Sequence, residues 1–396
     1  MMACFGYMNT VGTYQAYLAM NQLSSYSEST IGWIFSVYIF LSFGAGVQVG
    51  PFFDKHGPFW LVVIGSICLL LSIMLLGVCS QYWHFMLVFG VLGGIGTAMI
   101  FTPAVSSVGH WFLRRRANAT GIATCGGALG GVIFPLMLQD LFPKVGWAWA
   151  TRIQGFIFIL LLLVAILLLR ARLPPRPGGS AWPDVSVFKD LPFALVTAGA
   201  YFLEWGLFIP VAYLTSYALD TDGAISPTFA YQLLAIFNAG SFFGRWVPGY
   251  VADKLGRFNT QIVAVFLCAA SSLALWLPAA VYATSESSSS PQTILALTIV
   301  YAALMGFASG SNISLTPVCV GMLCPTKDYG RYIATTYTIV SLGCLTGLPI
   351  AGALISATGG SYWAVALFTG GCYICGLCCF VAVRVMKAGW KLAVIY

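Results

Sequence analysis

Apolar runs long enough to cross a lipid bilayer repeat along the whole chain, and short segments rich in charges and turn residues separate them. A hydrocarbon core of about 30 Å needs roughly 20 mostly apolar residues in a helix. The strands of a β-barrel would instead give short alternating segments, which this sequence lacks. The pattern therefore predicts an all-α membrane protein with 12 transmembrane helices. Their expected spans are residues 1–20, 30–53, 59–79, 83–108, 117–139, 147–169, 191–217, 229–252, 260–282, 293–321, 332–357 and 362–383.

Composition excludes several classes of protein. Charged residues make up 7% of the 396 residues and apolar residues 59%, whereas about 25% of a soluble domain is charged. So little polar material cannot cover a water-facing surface of this size, which excludes a soluble, disordered or secreted disulfide-rich protein. The net charge of +7 is scattered over loop positions, so we expect no basic surface for nucleic acid.

The Lys and Arg residues indicate the orientation in the membrane. If Met1 lies on the cytosolic side, all but three of the 18 basic residues fall in cytosolic loops; the exceptions are Lys144 and Arg152 outside and Arg245 within a span. Because cytosolic loops carry such an excess, we expect both termini in the cytosol. The membrane that we expect is the plasma membrane. Met1 opens directly onto an apolar stretch, so we expect the first span to act as the insertion signal and the start to be short or truncated.

One long polar segment divides the apolar spans six and six. Residues 170–190 contain a run of prolines and glycines that cannot continue a helix. We therefore predict an N-terminal six-helix bundle over residues 1–169, a cytosolic linker over 170–190 and a C-terminal six-helix bundle over 191–396. Two such halves joined by a polar linker are typical of secondary transporters.

Each predicted half repeats one signature where its second helix ends. The two copies are Gly50-Pro51-Phe52-Phe53-Asp54-Lys55-His56-Gly57 and Gly249-Tyr250-Val251-Ala252-Asp253-Lys254-Leu255-Gly256-Arg257. With this repeat, the sequence resembles the major facilitator superfamily, whose best-known mark is a Gly-x-x-x-Asp-Lys-x-Gly loop after the second helix. The resemblance implies the major facilitator fold and secondary active transport.

Further segments resemble the monocarboxylate porter branch, especially its fungal members. These segments are Trp111-Phe112, Arg114-Arg115-Arg116-Ala117, Thr120-Gly121-Ile122-Ala123, Gly126-Gly127, Gly130-Gly131, Pro135, Gly206-Leu207-Phe208-Ile209-Pro210, Gly244-Arg245 and Pro248-Gly249. The resemblance implies a small organic anion as substrate and a proton as coupling ion. Two family residues are replaced here. The acid that animal members carry one turn before Arg245 falls near Ser241, and the Lys of their first helix falls near Asn9.

Residues in and near the repeated signature are candidates for a conformational latch. The latch residues are Gly50, Asp54, Lys55, Gly57, Arg114, Arg115, Arg116, Gly249, Asp253, Lys254 and Arg257. The resemblance implies that such loops hold the outward-open state. Salt bridges at a wet membrane edge are worth about 0–1 kcal/mol each, which suits contacts that break in every cycle. The simpler interpretation is that these residues only anchor and turn the chain at the inner membrane surface.

Two charged side chains are expected inside the membrane. Glu204 lies near the middle of the seventh span, where a carboxylate costs about 2.5–3.5 kcal/mol on insertion scales. Apolar surroundings favour the neutral form of a carboxyl group and a nearby cation favours the charged form, so Glu204 suits proton coupling or substrate contact. The alternative for Glu204 is a structural acid that forms a hydrogen bond between helices.

Arg245 lies two turns before Asp253, about 12 Å above the cytosolic end of the eighth span at ~1.5 Å per residue. It matches the Arg that the family resemblance implicates in binding a carboxylate substrate, and its guanidinium suits bidentate binding of such a group. The alternatives for Arg245 are a pair with Glu204 and a side chain that reaches the membrane surface.

Other polar residues within the spans are candidates for lining the substrate site: Asn9, Tyr14, Asn238 and Asn312. Hydrogen bonds between helices are the alternative role for each of them. Glycines at small-x-x-x-small spacing predict close helix packing. The pairs include Gly126/Gly130, Gly127/Gly131, Gly240/Gly244 and Gly306/Gly310.

These features predict a transporter that moves a small organic anion, monocarboxylate-like, by alternating access with a proton. One alternative is efflux of a fungal secondary metabolite by proton antiport, and another is a transport-dead membrane sensor on the same fold. We expect no enzyme, because no cluster of His and acidic residues lies within the spans. No metal site or cofactor is expected either, because the cysteines lie on apolar helices without a nearby His and no phosphate-binding loop is present.

Overall fold

The computed structural model describes residues 1–173, 185–221, 223–284 and 291–390, and within these ranges it contains helices and connecting turns but no β-strand. The α-helices are α1 (Met2–Asn9), α2 (Val11–Met20), α3 (Glu28–Gly44), α4 (Gly46–His56), α5 (Phe59–Leu75), α6 (Tyr82–Phe85), α7 (Gly94–Trp111), α8 (Arg116–Leu168), α9 (Leu191–Leu219), α10 (Pro227–Leu255), α11 (Arg257–Ser271), α12 (Leu277–Thr284), α13 (Pro291–Val320), α14 (Tyr329–Ala357) and α15 (Trp363–Ala388). The predicted all-α membrane fold is confirmed.

Each predicted span falls on a helix or on a run of consecutive helices. In the described ranges, nine helical runs are long and apolar enough to cross a membrane. One of them is α8, whose 53 residues turn at Gly146 (φ 73°) and so contain both the fifth and the sixth predicted span. The two other predicted spans are not among these nine runs. The first span is interrupted at Thr10, and the eighth, α10, is less apolar because it carries Arg245 and other polar side chains.

Only part of the predicted linker lies within the described residues. The helix α8 ends at Leu168, and a short 3-10 helix over Val185–Lys189 precedes α9. Residues 174–184, which form the middle of the predicted linker, lie outside the described residues. The division into two six-helix bundles therefore stays a prediction, and below we refer to residues 1–173 as the first half of the chain and to 185–390 as the second half.

The repeated signature ends two corresponding helices with a glycine. Gly57 follows α4 with φ 82°, and Gly256 follows α10 with φ 104°. Both values lie in the left-handed region, which a residue with a Cβ atom adopts only at a cost. Each copy of the signature thus ends its helix in a glycine turn. Because the two turns correspond, Asp54 and Asp253 lie at equivalent positions, in the last turn of α4 and of α10.

Glycines on α10 and α13 bring these two helices into direct backbone contact. A Cβ atom on Gly244 would lie 1.8 Å from the carbonyl oxygen of Phe307, and one on Gly306 would lie 2.1 Å from that of Phe237. The packing role predicted from the glycine spacing is confirmed here. Arg245 directly follows Gly244, so this contact also fixes the position of the buried arginine.

We expect Gly244→Ala to destabilise the protein by about 1–3 kcal/mol, the usual cost of inserting an atom into a packed contact. Gly371 on α15 is the matched control, because a Cβ atom there would have no neighbour within 4 Å. Gly371→Ala should leave stability unchanged or slightly higher. Thermal unfolding of the purified variants in detergent measures both effects, and equal melting temperatures for the two variants would contradict this packing.

The first and second halves of the chain contact each other at both ends of the helices. At the end that holds Asp54 and Asp253, which we call the basic end, Gly50 on α4 packs against Gly330 and Ala334 on α14. At the opposite end, Ser29 Oγ donates a hydrogen bond of 3.4 Å to the carbonyl oxygen of Pro349. The two halves therefore touch at both ends of α14.

Candidate functional site

Arg245 is buried at the contact between the two halves, with 2% of its surface exposed. From α10 its Nε donates to Ser241 Oγ at 3.2 Å, and one Nη donates to the carbonyl oxygen of Thr124 on α8 at 2.7 Å. The guanidinium lies 5.8 Å from the centroid of the Phe5 ring on α1. A guanidinium has five N–H groups, so these two bonds leave donors for a ligand.

A glycine face on α8 gathers three of the predicted substrate residues. Asn9 Nδ2 donates to the carbonyl oxygen of Gly127 at 3.1 Å, and a Cβ atom on Gly127 would lie 2.9 Å from an Nη of Arg245. One turn further on, a Cβ atom on Gly131 would lie 2.4 Å from Asn238 Oδ1. The structure thus brings Asn9, Asn238 and Arg245 together along one side of α8.

Glu204 lies on α9 with 1% of its surface exposed. In the described part of the chain, neither of its carboxyl oxygens has a hydrogen-bond partner. No ion pair joins it to Arg245 there, although Arg245 is near enough to act on it electrostatically. A buried carboxyl group without a partner is costly when it is charged. Glu204 and Arg245 are therefore both buried, but they do not form an ion pair with each other.

The remaining two predicted substrate residues lie elsewhere. The Tyr14 hydroxyl donates to Gln154 on α8, and its ring packs edge-on against Trp147 at 5.7 Å. Asn312 on α13 accepts a hydrogen bond of 3.5 Å from Gln261 on α11. Both side chains therefore make contacts within one half of the chain, which matches the alternative of hydrogen bonds between helices.

Asp253 connects the end of α10 to the start of α8. Its carboxylate accepts hydrogen bonds from the backbone N–H groups of Ala117 at 3.3 Å and Asn118 at 2.9 Å. The first N–H groups of a helix have no partner within it and carry a partial positive charge. The second half of the chain thus caps a helix of the first half. Arg257 supports the cap, at 3.6 Å from Asp253 and with a bond of 3.1 Å to the carbonyl oxygen of Leu113.

Asp54 makes the corresponding contact in the other direction. From α4 its carboxylate accepts a hydrogen bond of 3.2 Å from the backbone N–H of Arg331, in the first turn of α14. Each half of the chain therefore caps a helix of the other half with the Asp of its own signature. The glycines of the signature allow the approach, because a Cβ atom on Gly249 would lie 2.8 Å from the carbonyl oxygen of Ala117.

Comparison with known families decides the identity of this fold. The family model described as the Major Facilitator Superfamily matches residues 1–291. The chain belongs to this superfamily. It is thus a multi-pass membrane transporter and not an enzyme, as predicted.

Curated relatives of this major facilitator are fungal transporters. The chain is 35% identical to "MFS-type transporter 1" of Ophiocordyceps sp. (strain BCC 1869), over 97% of this chain and 83% of the relative. It is 34% identical to "Riboflavin transporter MCH5" of Saccharomyces cerevisiae, over 99% of this chain and 77% of the relative. It is 37% identical to "Aspyridones efflux protein apdF" of Emericella nidulans, over 90% of this chain and 70% of the relative.

A solved structure supports the fold of the transporter. The human organic anion transporter MFSD10 (TETRAN) superimposes with a TM-score of 0.70 and covers 96% of this chain and 98% of its own. The two sequences are 15% identical, so this likeness concerns the fold alone.

Among the latch residues, Arg116 is buried and the other charged members are more accessible. Arg116 donates to the carbonyl oxygens of Gly109 at 3.1 Å and Gly321 at 3.3 Å, and its guanidinium lies 4.4 Å from the ring centroid of Tyr329. It therefore joins the start of α8 to the second half of the transporter. Arg114 and Arg115 are exposed, and Lys55 is half-buried.

Sequence reasoning missed Tyr337 on α14. Its buried hydroxyl has no hydrogen-bond partner in the ranges that the structure covers, and it lies close enough to Glu204 to interact electrostatically. An unpaired phenol near an unpaired acid is a candidate for ligand contact or proton transfer. No signal in the sequence distinguished it, because tyrosine is common in apolar helices of this chain.

We expect Asp253→Ala to open the basic end of the transporter. Loss of a helix cap costs about 0.5–2 kcal/mol, which shifts a two-state equilibrium roughly two- to thirtyfold. Cys125 reports this opening, because its thiol lies 3.3 Å from the carbonyl oxygen of Phe242 across the interface. Maleimide labelling of Cys125, mapped by mass spectrometry, should accelerate in the variant. Asp140→Ala, which removes an exposed ion pair with Lys144, is the control, and equal labelling of Cys125 in the two variants would contradict the cap.

Proposed function

We propose that this transporter moves a small organic anion by alternating access and that a proton is the coupling ion. The observation that carries the proposal is the buried pair of charges at the centre, Arg245 and Glu204, which lie on different helices and do not contact each other. Charged residues inside a membrane are costly and mark substrate or proton pathways. Each member of the pair has a separate task in this proposal.

Arg245 is the proposed anion site. Ser241 and Thr124 hold the guanidinium in place with two of its N–H groups, so the remaining donors are preorganised for a carboxylate, which a guanidinium binds in bidentate fashion. The buried position supports a strong interaction, because water does not compete there. Asn9 and Asn238 lie along the same side of α8 and complete the proposed substrate site.

Glu204 is the proposed proton site. A carboxyl group without a hydrogen-bond partner in an apolar environment favours its neutral form, and an approaching positive charge favours its ionised form. Arg245 supplies that charge when no substrate covers it. Binding of an anion at Arg245 therefore favours protonation of Glu204, and release of the anion favours loss of the proton. This coupling makes substrate and proton move together.

Alternating access in this proposal is a rocking of two six-helix halves, residues 1–169 and 191–396, about the central site. The contacts at both ends of the helices support the assignment of this conformation as the occluded state. The latch contacts of Asp54 and Asp253 are backbone caps that reform when the basic end closes. The excess of Lys and Arg supports a cytosolic position for the basic end and both termini, and we assign the transporter to the plasma membrane.

A substrate screen in proteoliposomes tests the proposed function. Labelled carboxylates are offered to vesicles that hold the purified transporter, with and without an imposed pH gradient. We expect uptake of at least one carboxylate and faster uptake when the outside is more acidic. Transport of neutral compounds alone, at a rate that ignores the pH gradient, would contradict the proposal.

Efflux of a fungal secondary metabolite is the second candidate function. It is favoured by a cavity of about 500 Å³ at the end opposite to the basic end, lined by Tyr17, Phe142 and Tyr231 among others, which suits a planar apolar molecule. The names of two relatives, the aspyridones and fujikurins efflux proteins, point the same way. The direction of the pH effect separates the two functions, since proton antiport would expel substrate toward the acidic side.

A further inference from the structure

The basic end carries a cavity of about 690 Å³, to which the proposed transport cycle assigns no ligand. One wall is the segment before α8, with Trp111, Arg114 and Arg115, and the opposite wall is the end of α10, with Tyr250 and Lys254. The cavity therefore lies between the first and the second half of the chain. It exists only while these two segments are close together.

The charges around this cavity favour an anion. Arg114, Arg115 and Lys254 contribute three cations, and Asp253 is the acid that lines the cavity. Both oxygens of Asp253 already accept hydrogen bonds from the start of α8, so its charge is partly compensated there. Lys254 lies 4.2 Å from the Tyr250 ring centroid. An anion in the cavity would thus meet a net positive charge, with Arg114 and Arg115 on one wall and Lys254 beside Asp253 on the other.

The rim of the cavity is apolar and exposed, which points to a lipid and not to a soluble anion. Trp111 is 52% exposed, Phe112 49% and Leu113 67%, and these three consecutive residues lie where α7 ends. Aromatic side chains at a helix end typically lie at the level of the lipid headgroups. A phospholipid offers both parts that this surface fits, a phosphate for the cations and acyl chains for the rim.

We propose that this cavity binds the phosphate headgroup of an anionic phospholipid and that the bound lipid holds the two halves together at the basic end. The inference uses the cytosolic placement of this end, because the cytoplasmic leaflet carries the anionic lipids. Since the cations come from both walls, a bound headgroup connects Arg114 and Arg115 to Lys254. Anionic lipid therefore stabilises the conformation in which the basic end is closed.

Binding of phosphatidic acid tests the site directly. Native mass spectrometry compares phosphatidic acid with phosphatidylcholine of the same acyl chains on the wild-type protein and on the variant Arg114→Gln/Arg115→Gln. Each cation that faces the headgroup strengthens the binding of an anionic lipid, so the loss of Arg114 and Arg115 together should weaken binding of phosphatidic acid roughly 30-fold. Lys254→Gln on the opposite wall should weaken it as well, roughly fivefold.

The control variant is Lys189→Gln/Lys387→Gln, which removes the same net charge from two exposed lysines that do not line the cavity. It should bind phosphatidic acid like the wild type. Equal weakening in this control, or equal binding of the two lipids by the wild type, would overturn the lipid site. Displacement of phosphatidic acid by millimolar inorganic phosphate would identify a soluble anion as the occupant and would also overturn it.

A second readout tests the effect on conformation. In nanodiscs with phosphatidic acid, maleimide labelling of Cys125 should be slower than in nanodiscs of phosphatidylcholine alone, and Arg114→Gln/Arg115→Gln should abolish this difference. Unchanged labelling in the wild type would contradict the bridging role. Neither readout requires transport, so a failure of the proposed anion transport and a failure of the lipid site give different results.

Discussion

Arg245→Ala is expected to abolish transport while the protein still inserts into the membrane. The guanidinium is held by Ser241 and Thr124 at the contact between the halves, and its remaining N–H groups are the proposed donors to the substrate carboxylate. Hydrogen bonds to a charged group are worth about 1.5–3 kcal/mol each. The loss of two of them lowers the ratio kcat/KM at least roughly 100-fold.

Uptake of a labelled carboxylate into proteoliposomes measures this loss, with the amount of inserted protein determined in parallel. Arg245→Lys keeps the charge but loses the planar pair of donors, so we expect a raised KM and partial activity. Arg152→Ala is the control, because Arg152 contacts the Trp149 ring at 5.3 Å and has no part in the site. Unchanged uptake by Arg245→Ala would remove the assignment of the anion site.

Glu204→Gln is expected to remove the dependence of transport on the pH gradient. Glutamine has the shape of a protonated glutamic acid but cannot release a proton, so substrate exchange continues without coupling. A gradient of one pH unit supplies each coupled proton with enough energy for roughly tenfold accumulation of substrate. Wild-type vesicles should use that gradient when the outside is acidic, and the variant should accumulate substrate equally with and without it.

Exchange of labelled for unlabelled substrate provides the internal control for this variant. Glu204→Gln should retain exchange, which shows that the protein is folded and binds substrate. Asp140→Asn, which changes an exposed acid at 2.6 Å from Lys144, should keep the full response to pH. A normal pH response in Glu204→Gln would assign proton coupling to another group, with Tyr337 as one candidate.

The sequence predicted the features that depend on local pattern. Apolar runs predicted the helices, because the bilayer requires each span to be long and apolar. The glycine spacing predicted close helix packing, which the structure shows between α10 and α13, and the repeated signature indicated turns, which lie at Gly57 and Gly256. In each case the residues that determine the feature are close together in the chain. The first residues of α8 also matched the predicted start of the fifth span.

The site depended on contacts that helix depth alone does not determine. Glu204 and Arg245 were expected inside the membrane, yet their depth did not show whether they form a pair, and the structure keeps them apart. Asn9 and Tyr14 lie on neighbouring turns of the first span, but only Asn9 reaches the glycine face of α8. The sequence pattern does not specify how the two halves pack. It therefore does not show which helix end each signature Asp caps.

A matched pair of ligands tests whether the buried Arg245 recognises an organic anion. A carboxylate identified in the substrate screen and its neutral amide counterpart differ in charge and hardly in shape. Binding of both to the purified wild-type protein is measured by isothermal titration calorimetry. We expect the carboxylate to bind at least roughly 100-fold more tightly than the amide. Equal affinity for the acid and the amide would contradict recognition of the anion by Arg245.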